Sequence, residues 1–151
     1  MTKLGFENFS FKLSSSRQNS DPIENLVDSG IKYIDFGMKN QNIISLMFDY
    51  PLPKSDYPEL LLSANNAFAI LQNRVKVLHK KDISKSQLNS IALHAFTHGL
   101  LNIIQMNERI DQGTKISTRD LAKSSEFYKA SKKVKINLRK LLKDFIKNLE
   151  F

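Results

Sequence analysis

Cysteine is absent from the chain, which excludes disulfide-stapled scaffolds and Cys-ligated zinc or iron–sulfur centres. Tryptophan is absent too, and there are only 5 Gly and 4 Pro. The glycines are scattered at positions 5, 30, 37, 99 and 113, so no Gly-rich loop can cradle a phosphate. No apolar run approaches the roughly 20 residues needed to cross a bilayer, so no membrane association is expected. The N-terminus lacks the continuous apolar stretch of a signal peptide. A soluble, cytoplasmic protein is the expectation. What is present is an ordinary globular mixture of 151 residues, 41% hydrophobic and 25% charged, matching one domain over residues 1–151.

The formal charge of +8 is unevenly placed. Residues 115–151 hold 11 Lys+Arg against 4 Asp+Glu, whereas residues 1–114 are nearly balanced. Lys outnumbers Arg 18 to 5. Readers of phosphates and bases favour the planar Arg fork, which makes paired bonds that an ammonium cannot. A Lys-rich helical face is more often simply solvated.

Helical periodicity runs almost throughout, and no stretch alternates like a strand between turn signals. The segment from Leu4 to Arg17 fits helix or strand equally, with residues 1–20 forming a short leading piece rich in Phe. Asp21, Pro22 and Glu24 make a helix start, followed by an apolar stripe from Ile23 to Met38. Gly30 and Gly37 fall on that stripe, which suggests close approach of another helix. A short helix is expected over 43–48, then a Pro-rich loop, then a helix capped by Asp56 with a stripe from Leu61 to Leu78. Ser84 and Gln87 read as a capping box. The helix behind them carries Leu88, Ile91, Ala92, Ala95, Gly99, Ile103 and Met106. The last helix starts between Ser117 and Ser125, with an apolar face of Val134, Leu138, Leu141, Leu142, Phe145 and Leu149. The expectation is an all-α domain of about six helices.

Little here suggests catalysis. No nucleophile sits with a His and a carboxylate, and no paired carboxylates share a buried face, so an enzyme is not expected. His94 and His98 are four apart and share a helix face, a spacing that can chelate a metal if a carboxylate joins. Their neighbours are apolar and no Glu lies between them. Structural histidines with satisfied nitrogens are the plainer reading, and neither metal nor cofactor is expected. Met and aromatic residues in the middle of the chain, including Phe36, Met38, Met47, Phe48 and Phe68, serve a core or line an adaptable apolar pocket.

Two stretches together carry a resemblance: PIENLVDSGIKYIDFGMKNQNIISLMF at 22–48 and IALHAFTHGLLNI at 91–103. In that order they resemble the C-terminal ligand-binding and dimerisation domain of TetR-family transcriptional regulators, of the WHG type. Phe36-Gly37-Met38-Lys39-Asn40-Gln41 through Met47-Phe48 matches one motif, and His98-Gly99 matches the His-Gly pair. The chain departs from the pattern in having Gln41 for the usual Pro and His94 where a Trp is expected. The family's helix-turn-helix head is not found, and residues 1–20 look like the end of its connecting helix.

The resemblance implies a sensor that dimerises through a four-helix bundle made from the last two helices of each subunit. It puts Phe36, Met47, Phe48, Phe68, Leu71, His94 and His98 at the pocket for a small apolar effector. It puts Gly99, Ile103, Leu138, Leu141, Leu142 and Phe145 in the dimer interface, within 85–109 and 120–149. The expected partner is a second copy or an intact TetR-like subunit. Sequence-specific DNA binding by this chain is not expected, since a recognition helix is missing. The alternative is a helical interaction module that uses the basic C-terminal helix on an acidic partner or a nucleic acid.

Overall fold

A computed structural model describes residues 2–14, 20–48, 58–79, 82–113 and 123–149. The fold is all-α, and no β-strand occurs among the described residues. The helices are α1 (Thr2–Ser14), α2 (Pro22–Lys39), α3 (Gln41–Phe48), α4 (Pro58–His79), α5 (Ile83–Asp111), α6 (Glu126–Ser131), α7 (Lys133–Ile136) and α8 (Leu138–Asn148). The expected Asp56 cap and most of the Pro-rich loop lie outside the described residues.

The segment left open between helix and strand is helical. Phe6, Phe9 and Leu13 recur at helical spacing and are buried, while Leu4 and Phe11 face outward. Asp21 caps α2, its carboxylate accepting from the Ile23 amide at 2.9 Å, with Pro22 in the first turn. Glu24 does not complete a capping box. It reaches across to α8 and pairs with Arg139 and Lys143 at 2.8 and 2.5 Å.

α2 is the central helix and touches α1, α3, α4, α5 and α8. Its glycines explain how. A Cβ on Gly30 would lie 2.9 Å from Leu142 of α8, and one on Gly37 would overlap Leu101 of α5. Leu101 and Leu142 are both fully buried, so each leucine fills the notch that a missing side chain leaves. The close approach expected at these glycines is present.

Two sequence expectations are corrected. α5 begins earlier than the Ser84–Gln87 box: Asp82 caps it, accepting from the Lys85 amide at 2.9 Å. Asp is as good a cap as Ser, and it comes first in the chain. The C-terminal helix is not continuous. It breaks at Lys132 and at Asn137, whose amide N–H bonds to the Lys133 and Val134 carbonyls. The side-chain amide of Asn137 also donates to Lys133 at 2.8 Å, a local bond that competes with helix propagation.

Candidate functional site

An apolar cavity of about 70 Å3, partly open to solvent, lies where α1, α2, α4 and α5 meet beside the end of α3. α1 contributes Phe6, Phe9 and Leu13 to its wall, and α2 contributes Ser29, Gly30 and Tyr33. Phe48 of α3, Phe68 and Leu71 of α4, and Leu93, His94 and Thr97 of α5 close the remainder. Nearly all of the wall is carbon.

Polar atoms in that wall are mostly committed to bonds within the protein. The Ser29 hydroxyl donates to the Asn25 carbonyl at 2.8 Å and accepts from the Arg74 guanidinium. Arg74 also donates to the Leu13 carbonyl at 2.8 Å, closing the C-terminal end of α1. Burial lowers the Arg74 pKa, but a guanidinium starts so high that it stays cationic. The Thr97 hydroxyl donates back to the Leu93 carbonyl at 2.7 Å. Tyr33 shares a 2.7 Å hydrogen bond with His98 Nδ1.

His94 differs. Its ring lies 4.8 Å from the Phe48 ring and 5.6 Å from Tyr33, and it stacks near His98 at 5.9 Å. No hydrogen bond reaches either nitrogen from the described residues. Burial, helped by the neighbouring His98, pushes its pKa down to about 4, so the imidazole is neutral at pH 7.

Of the seven residues expected at the pocket, Phe48, Phe68, Leu71 and His94 line it. Phe36 and Met47 do not. Phe36 is buried with its ring 5.4 Å from Phe9, and Met47 is fully buried in the notch at Gly5. His98 sits behind His94, held by Tyr33. Sequence reasoning missed the α1 residues Phe6, Phe9 and Leu13, which share one side only if that segment is a helix. It also missed Tyr33. No group of three or more metal-ligating side chains occurs among the described residues, so His94 and His98 lack a third ligand there.

The second surface of note is on α5. Of the apolar stripe read from the sequence, Leu88 is 70% exposed, Ile91 is 56% exposed and Ala95 is exposed, while Ala92, Gly99, Ile103 and Met106 are half-buried. The inner stripe is instead Ser86, Ser90, Leu93, Thr97, Leu101 and Ile104, all buried. Its small hydroxyls look polar in the sequence. They are satisfied within the helix, Ser86 bonding to Ile83, Ser90 to Ser86 and Thr97 to Leu93. α5 is therefore apolar on two sides, and residues 86–107 contain no Lys, Arg, Asp or Glu. That uncharged run is the signal that could have marked the outer face.

Among the expected interface residues, Gly99 opens onto this face, with nothing near where a Cβ would stand. Ile103, Leu138, Leu141 and Phe145 are half-buried beside it, and Phe145 stacks flat on Phe96 of α5 at 4.0 Å. Leu142 is a correction: it is fully buried on Gly30 inside one chain and is not available to a partner.

The basic C-terminal face is locally balanced rather than bare. Lys132 pairs with Asp111, Lys135 with Glu108, Lys140 with Asp144 and Lys143 with Glu24. Arg139 holds Asp28 as well as Glu24. No described helix is long and apolar enough to cross a membrane. Comparison of the chain with family models, with curated proteins and with solved structures finds no match.

Proposed function

We propose that the chain is a small-molecule-sensing, self-associating helical domain of the TetR regulatory type. The observation that carries this reading is the two-faced α5. One side closes an apolar cavity through Leu93, His94 and Thr97. The other leaves Leu88, Ile91 and Ala95 in water on a run without charge. A helix that is apolar on both sides has a second surface to cover.

A second copy fits that surface better than a charged partner does. Two chains of net charge +8 repel, and residues 86–107 offer a run without Lys, Arg, Asp or Glu on which they could meet. A two-fold axis perpendicular to α5 would pair the two copies of the helix antiparallel. With that axis at Ala95, Ile91 of each copy would face the open notch at Gly99 of the other, and Leu88 would lie beside Asn102. The Ile91–Gly99 pairing sets a large side chain opposite a small one. Leu141 and Phe145 of α8 would extend the contact into a four-helix arrangement.

Occupancy of the cavity would be transmitted along α1, whose Phe6, Phe9 and Leu13 form one wall of it. A ligand that enlarges the cavity would press on α1 as one of its walls.

Light scattering across a concentration series, with Ile91→Lys as the control, tests self-association. The wild type should run as a dimer at micromolar concentration and the variant as a monomer. A wild type that stays monomeric at the solubility limit would refute the dimer. Thermal-shift screening of apolar small molecules tests the pocket, because a ligand that binds only the folded chain raises its Tm.

A further inference from the structure

What can fill the cavity is limited by what its wall can bond. Ser29, Thr97 and Tyr33 already use their hydroxyls within the protein. Arg74 lies behind the wall with its guanidinium engaged by Ser29 and Leu13. His94 alone brings a hydrogen-bonding group to the cavity with no bond made by the described residues. The fully enclosed unbonded side-chain atom among those residues is Ser10 Oγ, so the His94 nitrogens keep access to open space.

Among the described lining residues there is no cation to meet a carboxylate ligand and no carboxylate to meet a cationic one. A purely apolar ligand would strip water from His94 and give nothing back. A neutral imidazole offers one N–H donor and one nitrogen acceptor, which suits a hydroxyl. The volume adds a limit. At about 70 Å3 the cavity is roughly half the ~150 Å3 void that takes benzene, so the ligand is small or extends out through the side open to solvent.

We propose that the cavity binds a small uncharged molecule with an apolar body and one hydroxyl, anchored by a hydrogen bond to the His94 imidazole. This rests on the ligand-sensing reading above and names the ligand class for it. Phenol, benzene and benzoate are the probes, titrated into the full chain at pH 7 by calorimetry and thermal shift. Phenol should bind roughly five- to tenfold more tightly than benzene, the factor expected from one net neutral hydrogen bond, and benzoate should bind no better than benzene.

In His94→Phe the phenol advantage should vanish while benzene still binds. In His94→Gln, which keeps a donor and an acceptor, part of the advantage should return. Equal binding of phenol and benzene, tightest binding by benzoate, or a phenol advantage that survives His94→Phe would each overturn the ligand class and leave the pocket standing. Failure of all three probes to bind would overturn the pocket reading and this inference with it.

Discussion

Acidification should destabilise this protein through His94, by an amount the structure allows to be worked out. The unfolded chain protonates this imidazole near pH 6.5, and the folded chain protonates it only near 4, because the ring is buried among Tyr33, Phe48 and His98. Between those values the unfolded state binds more protons, so stability falls as pH falls. Above about 6.5 the contribution is flat, and below about 4 the loss is complete. At 1.36 kcal/mol per pKa unit, the whole transition removes about 3 kcal/mol, of which about 2 kcal/mol is gone by pH 5. That is a large part of the 5–15 kcal/mol by which domains are usually stable.

Urea unfolding of the wild type and His94→Phe at pH 7, 6, 5 and 4.5 isolates the effect. The phenyl ring keeps the aromatic contacts and cannot titrate. Other acid-sensitive groups remain in both proteins. His79, whose pKa burial and Lys85 lower, pulls in the same direction. Asp111, whose carboxyl Lys132 and Tyr128 hold below its ordinary range, adds to the acid loss as it protonates. The difference between the two proteins removes both. The wild type should lose about 2 kcal/mol more than the variant between pH 7 and pH 5. Parallel pH profiles would refute the assigned burial of His94, as would an NMR titration placing its midpoint near 6.5.

Leu142→Ala should cost about 2–5 kcal/mol in urea unfolding, since it empties a fully enclosed site between α8 and α2. Gly37→Ala drives a methyl into buried Leu101, and overpacking of about 1–3 kcal/mol should exceed the ~1 kcal/mol gained in helix propensity. Gly99→Ala meets nothing among the described residues, so the monomer should gain about 0.5–1 kcal/mol while the dimer dissociation constant measured by sedimentation rises. Excess zinc should leave the melting transition unchanged, because His94 and His98 have no third ligand among the described residues; a raised Tm that EDTA reverses would refute this.

The start of α2 was legible in the sequence because capping is local chemistry: Asp21 and Pro22 act within one turn. Gly30 and Gly37 were legible as close approaches, although what approaches them is a tertiary fact. The α1 wall of the cavity was not legible, since Phe6, Phe9, Phe11 and Leu13 fit two periods and only packing against α4 and α2 decides between them. The inner face of α5 was hidden for another reason. Ser86, Ser90 and Thr97 satisfy their hydroxyls on their own helix, so residues that look polar can face the core. The apolar spacing of Leu88 and Ile91 alone does not say that they face outward, which the structure shows. The breaks at Lys132 and Asn137 had no signal strong enough to compete with the regular apolar spacing around them.

The helix-interior glycines weigh on the second face of α5 more than its exposed leucine does. Each such glycine gives up about 1 kcal/mol of helix stability relative to alanine. At Gly5, Gly30 and Gly37 the chain itself supplies a reason, because Ile43, Leu142 and Leu101 occupy the space where a Cβ would stand. Gly99 has no such neighbour among the described residues, and it lies in the middle of α5, which is 29 residues long, on the side without charge. An unfilled notch there weakens an isolated chain and gains nothing within it. A side chain from outside can enter it, and under the proposed axis at Ala95 that residue is the exposed Ile91. Gly99→Ala is therefore the sharper test of self-association. A substitution that strengthens the monomer and weakens the dimer separates the two roles of α5, whereas one that strengthens both would place the partner surface elsewhere.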